Sequence, residues 1–581
     1  MKVSKTGFYL ILIFLVALIL RIIAAYHVAI GTDEMIYSVI PLNIISAGRL
    51  STIEQAPVYF YLTDLGYKVT GGLSLLSGRL PSILFGSFAV LLVFLIAQEL
   101  FENKKISLLS AFFAALSGYI LRFSQEMDMA AFFFGLFSFL FFIKGLKGKL
   151  NSFYYSVIFL SIAILIKPIL LLFAPAYVLI FLIHGYNHHQ GLLFKKDGKI
   201  HTNKKTLTVI VFSLLVAMLL VSPVLIYNYL LYKDSGRTDY YFSVLAGVGD
   251  NNLFKGQEAE SWTTARLVNT LKITLHNFIQ FDLLLLILGA LGLVLAFQKE
   301  KSSRYYISLL MLSVFFLFLY IAGKMSGANH LLWIPLVLSI FAGYAAWNLK
   351  EKIQNRFQFK HVLTVLVVLS MIISFISLKQ IIPQRETSIA IALEKYGREN
   401  FPEDALVIVD PRIYRGILAW SINQKHYLEG TDFPQLVEIL SHSSAPTKNI
   451  PLYYIECGPG TNCGWKPEDY QRINGFGEQL SSFFRNQTQK LGEIKAIDTF
   501  VIYKGTINAP FSAYELVDRT HSFWYTPVGW KYTENAVDNY ATDTFAKKSL
   551  HYIGLLILYF DVLIALASLM LVLRLLWKQY D

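Results

Sequence analysis

A chain of 581 residues with 55% hydrophobic side chains, 15% charged ones and a mean hydropathy of +0.50 is excluded from the ordinary soluble globules, whose charged fraction is about 25%. The formal net charge of +12 does not imply nucleic acid, because a membrane protein collects Lys and Arg in its cytoplasmic loops. Two cysteines, Cys457 and Cys463, are too few for a disulfide framework or a thiolate metal cluster and leave room for one bridge in an oxidising compartment. The composition is that of a multi-span α-helical membrane protein.

The first apolar run, residues 7–28, lacks a small-residue cleavage site and reads as a retained anchor. Arg21 lies inside it near the outer end, where an arginine either snorkels to the interface or serves a function; snorkelling is the expectation. The loop 29–78 holds two adjacent carboxylates, Asp33 and Glu34. Either they sit at the positive end of a helix capped by Thr32, or they form a site. Two weakly amphipathic stretches, 35–47 and 57–69, are too polar to span and are expected as helices in the interface plane.

Further spans are expected at 79–101, 106–121, 129–142, 152–166, 169–184, 206–229, 278–297, 305–322, 330–347, 362–378 and 550–576, about twelve in all. The brief loop after the third carries Arg122, Gln125, Glu126 and Asp128; Lys167 and Pro168 break the fifth from the sixth. His188, His189 and His201 fall in a Lys-rich loop and read as part of a solvated linker. Beyond Pro383 the composition shifts to mixed polarity with strand-like pieces at 405–409 and 499–503, which suits a soluble α/β domain. The chain thus divides into a membrane module (1–381), a soluble domain (382–549) inserted before the last helix, and a final span with its tail (550–581).

Basic residues set the orientation. Lys104 with Lys105, the run 144–149, and the segments 195–205, 299–304, 350–360 and Lys578 share one side, which makes it cytoplasmic and places both termini there. The Asp33 loop, the Asp128 loop, the polar loop 231–277 and the soluble domain fall on the other face, the domain over the mouth of the membrane site. A sequon at Asn486 and Thr488 is short enough to be chance. In the CGPGTNC segment the glycines and proline favour a tight turn that brings Cys457 and Cys463 together as a disulfide.

Five segments, TDEMIY (32–37), IEQAPVYFYL (53–62), SGRLPSILFGSFAVLLVF (77–94), LRFSQEMDMAAFF (121–133) and NHLLWIPL (329–336), resemble in order and spacing the GT-C superfamily of lipid-linked-sugar glycosyltransferases, near the protein O-mannosyltransferases and aminoarabinose transferases. The resemblance covers about the first 350 residues and does not extend to the soluble domain. It implies a GT-C type fold and transfer of a sugar from a polyprenyl-phosphate or dolichyl-phosphate donor to a hydroxyl on a lipid, glycan or protein. By the same resemblance Asp33 is the catalytic base with Glu34 beside it, Arg79 and Lys167 match functional basic residues, and Glu54 matches a glutamate that contacts a cation. Gln55 and Ala56 depart from the aminoarabinose branch, which has Lys and Pro there, and remove one expected phosphate contact.

The chemistry can be reasoned independently. A departing phosphate ester is already a weak base, so no general acid is needed, unlike in glycosidases. One base and some positive charge suffice, and attack opposite the phosphate predicts inversion. Positive charge is expected from Arg79, Lys167, Lys324 and His330, with Tyr37 and Tyr59 orienting the phosphate; Arg79 and the tyrosines have an alternative at the membrane interface and Lys324 and His330 one as solvated loop residues, whereas Lys167, with no carboxylate nearby in sequence, is otherwise hard to explain. A divalent cation at Glu54 with Asp128 would have hard oxygen ligands, which suit magnesium or manganese better than zinc. The expected partners are a polyprenyl-phosphate-linked sugar, its acceptor and membrane lipids, not nucleic acid. The competing class is a transporter or flippase of lipid-linked saccharides. That class places ionisable groups near the bilayer midplane, commonly with an internal repeat; here the candidates gather at one face.

Overall fold

In hydrocarbon a backbone has only itself to hydrogen-bond, so apolar runs become helices. A computed structural model describes residues 4–44, 48–188, 193–196, 199–202, 204–245, 247–249, 263–324, 328–353, 356–413, 415–422, 426–430, 438, 446–461, 463, 467–487, 489–495, 499–510 and 539–580. In chain order come α1 (Lys5–His27), α2 (Thr32–Val39), α3 (Pro41–Ile44), α4 (Pro57–Thr70), α5 (Leu75–Phe101), α6 (Lys104–Leu116), α7 (Gly118–Phe123), α8 (Met127–Leu146), α9 (Ser152–Ile166) and α10 (Phe173–His188). A hairpin of β1 (Leu193–Lys196) and β2 (Lys199–Thr202) precedes α11 (Lys204–Ser235), α12 (Thr264–Lys299), α13 (Arg304–Lys324), α14 (Trp333–Lys352) and α15 (Arg356–Ile381). The expected linker therefore contains a hairpin; His189 lies outside the described residues, and so do the side chains of His188 and His201.

Among the described residues nine helices are long and apolar enough to cross a membrane, and Ser152–Ile166 and Pro168–His184 are shorter apolar helices at the fifth and sixth expected spans. Helices α5, α8 and α14 form the centre of the bundle, with 83%, 94% and 83% of their apolar windows buried, whereas α1 and α11 lie at the rim with 28%. The expected span 106–121 is broken. Ser117 ends α6, caps α7 by accepting from Ile120 N–H at 3.2 Å, and donates to Asp282, where α12 leaves helical geometry (φ −161°, ψ 44°).

Two further expectations change. Arg21 does not snorkel: it is 1% exposed, faces α5 and α8, and donates to the Ala17 carbonyl at 3.2 Å. Gly86 makes room for it, since a Cβ there would stand 3.0 Å from its Nε. Helix α4 is buried all round over its first half, where Val58, Tyr59, Phe60, Tyr61 and Leu62 enter the main core, and keeps an exposed face only farther on, at Leu65 and Val69. Pro57 at its first position suits a helix start, and the Tyr61 hydroxyl donates to the Arg49 carbonyl at 2.8 Å.

After α15 come α16 (Ile389–Asn400), β3 (Leu406–Val409), α17 (Arg415–Ser421), β4 (His426–Glu429), β5 (Thr447–Cys457), α18 (Pro467–Gln487), β6 (Gln489–Lys495) and β7 (Thr499–Pro510), followed by the last long helix, α19 (Phe545–Tyr580). The sheet runs β4-β3-β5-β7-β6, with β4, β3 and β5 parallel and the other pairs antiparallel. All four residues of β3 are buried, as a central parallel strand requires. Cys457 and Cys463 form a disulfide at the end of β5. Thr488 of the sequon lies outside the described residues. Helix α17 packs on α2, and Ile30, Met35 and Leu75 of the membrane module join the core of the sheet domain.

Candidate active site

The short link from α1 to α2 is fixed by one arginine. Arg79, near the N-terminal end of α5 and fully buried, donates to the carbonyls of Ala25 (2.6 Å), Val28 (2.9 Å) and Ala29 (3.3 Å), and holds both Glu34 oxygens, Nη2 to Oε2 at 2.7 Å and Nε to Oε1. Cations suit a helix C-terminus, and here the guanidinium chelates that of α1. Glu34 also accepts from Gly31 N–H at 3.2 Å. All five N–H bonds of Arg79 are thereby used, and both Glu34 oxygens are filled. In this arrangement Arg79 has no N–H left over for a phosphate, and Glu34 is engaged by Arg79 and Gly31. Asp33, the next residue, is exposed on α2.

The second carboxylate group comes from the start of α8, with Asp128 in its first turn and Glu126 at its cap. Asp128, 1% exposed, accepts from Lys167 Nζ at 3.0 Å and pairs with His330 Nδ1 at 2.8 Å. Asn329 Nδ2 donates to Glu126 Oε2 at 2.7 Å and lies 3.3 Å from Asp128 Oδ2. Lys167 is delivered by the end of α9, where Pro168 forbids helix continuation and Lys167 is extended (φ −146°, ψ 107°). The sequence offered no carboxylate near Lys167; the fold supplies Asp128. Asp128 does not fit the expected role of cation ligand, since its oxygens are occupied by Lys167 and His330. Among the described residues no three metal-ligating side chains gather, so no step below is routed through a metal.

Glu54 lies between these groups. Burial first, then the charge of Asp33, pushes its carboxyl up to about 7, against the pull of Lys167. Burial, then Asp128 and Glu34, pushes Glu126 up to about 8. The Tyr37 hydroxyl is raised well above its ordinary value by burial and then by Glu54 and Asp33, which places it among the carboxylates. Tyr59 is buried with its hydroxyl 3.3 Å from that of Ser82, which donates to the Glu126 carbonyl at 2.7 Å. The side chain of Lys324 lies outside the described residues.

Four residues of this region were not singled out from the sequence: Glu126, Asn329, Asp239 and Tyr241. Glu126 and Asn329 lay inside segments already quoted, but spacing gives no sign of which residues face each other. Asp239 and Tyr241 come from the polar loop after α11, where nothing in composition distinguishes them.

The family described as dolichyl-phosphate-mannose-protein mannosyltransferase matches residues 54–227. The match includes Glu54, Arg79, Asp128 and Lys167, and leaves out Asp33 and His330. No curated protein matches the chain in sequence. Among solved structures, ArnT from Cupriavidus metallidurans bound to undecaprenyl phosphate aligns with a TM-score of 0.59 at 12% identity, over 86% of this chain and 98% of ArnT. Its apo state aligns with a TM-score of 0.58 over the same shares, again at 12% identity. The archaeal oligosaccharyltransferase AglB from Archaeoglobus fulgidus, in complex with an inhibitory peptide and a dolichol-phosphate, aligns with a TM-score of 0.47 at 14% identity, over 72% of this chain and 63% of AglB. In the family matched over residues 54–227 and in the ArnT-like fold of its multi-pass membrane module, the chain is similar to the GT-C glycosyltransferases that its motifs resemble.

Proposed function

We propose that the protein is an integral membrane glycosyltransferase that moves a sugar from a polyprenyl-phosphate donor to an acceptor hydroxyl at the non-cytoplasmic face, with inversion. The observation that carries this reading is the division of labour between two adjacent carboxylates: Glu34 is locked by Arg79, and Asp33 beside it is left exposed. Asp33 accepts the acceptor proton as the acceptor oxygen bonds to the anomeric carbon. The bond from that carbon to the phosphate oxygen breaks, and the electron pair leaves on the lipid phosphate. Lys167 and His330, positioned by Asp128, supply positive charge, and protonated Glu54 and Glu126 supply hydrogen-bond donors to the same anion. The basic loops at the far ends of the spans support the sidedness.

Asp561 supports the second reading, a transporter of lipid-linked saccharide. It sits in the middle of α19, is 0% exposed, and neither oxygen has a hydrogen-bond partner among the described residues. Transfer assays in defined membranes separate the two. Asp33→Asn should fold, bind the lipid phosphate and lose about a hundred- to ten-thousand-fold in turnover, the usual contribution of a positioned base. Asp561→Asn should leave transfer unchanged. Wild-type turnover by Asp33→Asn would remove the base, and loss of lipid-saccharide movement in Asp561→Asn without any transfer in the unaltered protein would favour the transporter.

A further inference from the structure

Residues 52–56 make a turn that local preference does not favour. Gln55 (φ 58°) and Ala56 (φ 55°) are both in the left-handed region, and neither is glycine. Within the turn Gln55 N–H donates to the Thr52 carbonyl at 2.9 Å and Glu54 N–H to Thr52 Oγ1 at 3.2 Å. These bonds shape the turn without anchoring it. The Glu54 carboxyl oxygens have no hydrogen bond among the described residues, so the backbone alone aims that side chain into the site.

The anchor comes from far along the chain. Asp239, 0% exposed, accepts on Oδ2 from the carboxamides of Gln55 and Asn228, and on Oδ1 from Phe242 N–H at 2.9 Å. Its own N–H donates to Asn228 Oδ1 at 2.8 Å, and the neighbouring Tyr240 N–H donates to the Ile53 carbonyl at 2.9 Å. Three segments meet on this one carboxylate: the turn, the α11 helix and the loop that presents Tyr241. No cation pairs with Asp239 among the described residues, so its burial is compensated by neutral donors alone. Tyr241, two residues on, is raised well above the ordinary tyrosine value by burial and then by the charge of Glu54. The Gln55 carboxamide is consumed in this contact and is not free to meet a ligand.

We propose that Asp239 is a positioning residue of the site, fixing through Gln55 the strained turn that carries Glu54 and bracing against it the segment that carries Tyr241. The effect on transfer rests on the function proposed above; the clamp itself does not. The test uses the full-length protein with hydrogen exchange of segments 52–56 and 237–245, alongside transfer from polyprenyl-phosphate mannose as the probe. In Asp239→Ala and in Gln55→Ala, exchange in both segments should rise by about tenfold, while α5 is unchanged. Turnover should fall on the order of a hundredfold with KM little altered, as for a misplaced reacting group. Gln55→Glu keeps the length of the side chain but sets a second acceptor against Asp239 in place of the donating carboxamide, so it should match the alanine variants in both exchange and turnover. Unchanged exchange in the single variants overturns the clamp. Slow exchange in Gln55→Glu also overturns the clamp, and faster exchange with full turnover overturns the positioning role. If the unaltered protein transfers nothing from the probe, that result counts against the functional reading, and the exchange measurements still decide the clamp.

Discussion

Glu54 and Glu126 keep protons that ordinary carboxyl groups lose near 4.5, because burial and neighbouring carboxylates penalise their charged forms and raise them to about 7 and about 8. Between 4.5 and those values the folded chain binds more protons than the unfolded chain. Stability therefore falls as pH rises through that window and levels off above it. For function the sign is the same. A protonated carboxyl donates a hydrogen bond to a phosphate oxygen, and an ionised one repels it, so KM for a prenyl-phosphate donor should rise as pH climbs from about 7 to about 9. Glu126→Gln stays neutral throughout and should flatten the upper part of that rise; a KM in the unaltered protein that ignores pH would show that these acids do not meet the phosphate. Asp128, two residues from Glu126, behaves differently because Lys167 and His330 pair with it. The sequence singled out Asp128 and passed over Glu126. Both are acidic residues at the start of α8, and only the partners brought by α9 and the segment before α14 tell them apart.

At the level of elements, hydropathy located every long span, since a run of that length has no other stable environment. It could not locate what depends on a neighbour. The break at Ser117 is set by Asp282, and the burial of α4 is set by the helices around it. Close approach of α12 and α14 is likewise a property of the pair. A Cβ at Gly289 would lie 2.8 Å from Leu338 Cβ, and one at Gly292 would overlap the Phe341 carbonyl. Small residues let membrane helices meet at backbone distance. Gly292→Val should force α12 from α14, cost about 1–3 kcal/mol by overpacking, and lower the unfolding temperature of the purified protein. Gly475→Ala, where nothing stands within 4 Å, is the control that should not. Equal unfolding temperatures for the two variants would mean that the approach is not tight.

Over the whole molecule, the shift to mixed polarity after Pro383 was legible, but the attachment of that domain was not, because the contact is made by apolar side chains with no distinguishing pattern. Ile30 and Met35 flank Asp33 in sequence and are buried with Ile417, Leu418 and Trp420 in the core of the sheet domain. On the other side Glu34 ties α2 to Arg79 of α5. Helix α2 is thus held between two bodies, and an eight-residue helix has little stability of its own. Removing either support should loosen the helix that carries Asp33. Met35→Ala deletes the domain-side contact and leaves the Arg79 brace intact, with a cavity cost on the order of 2–5 kcal/mol that falls on the junction. The expected outcome is faster amide exchange across 32–39, unchanged exchange in β5, and reduced turnover with the donor still bound. Exchange that rises equally in α2 and β5 would mean that Met35 merely stabilises the sheet domain, and full turnover would show that the domain's grip on α2 does not reach the site.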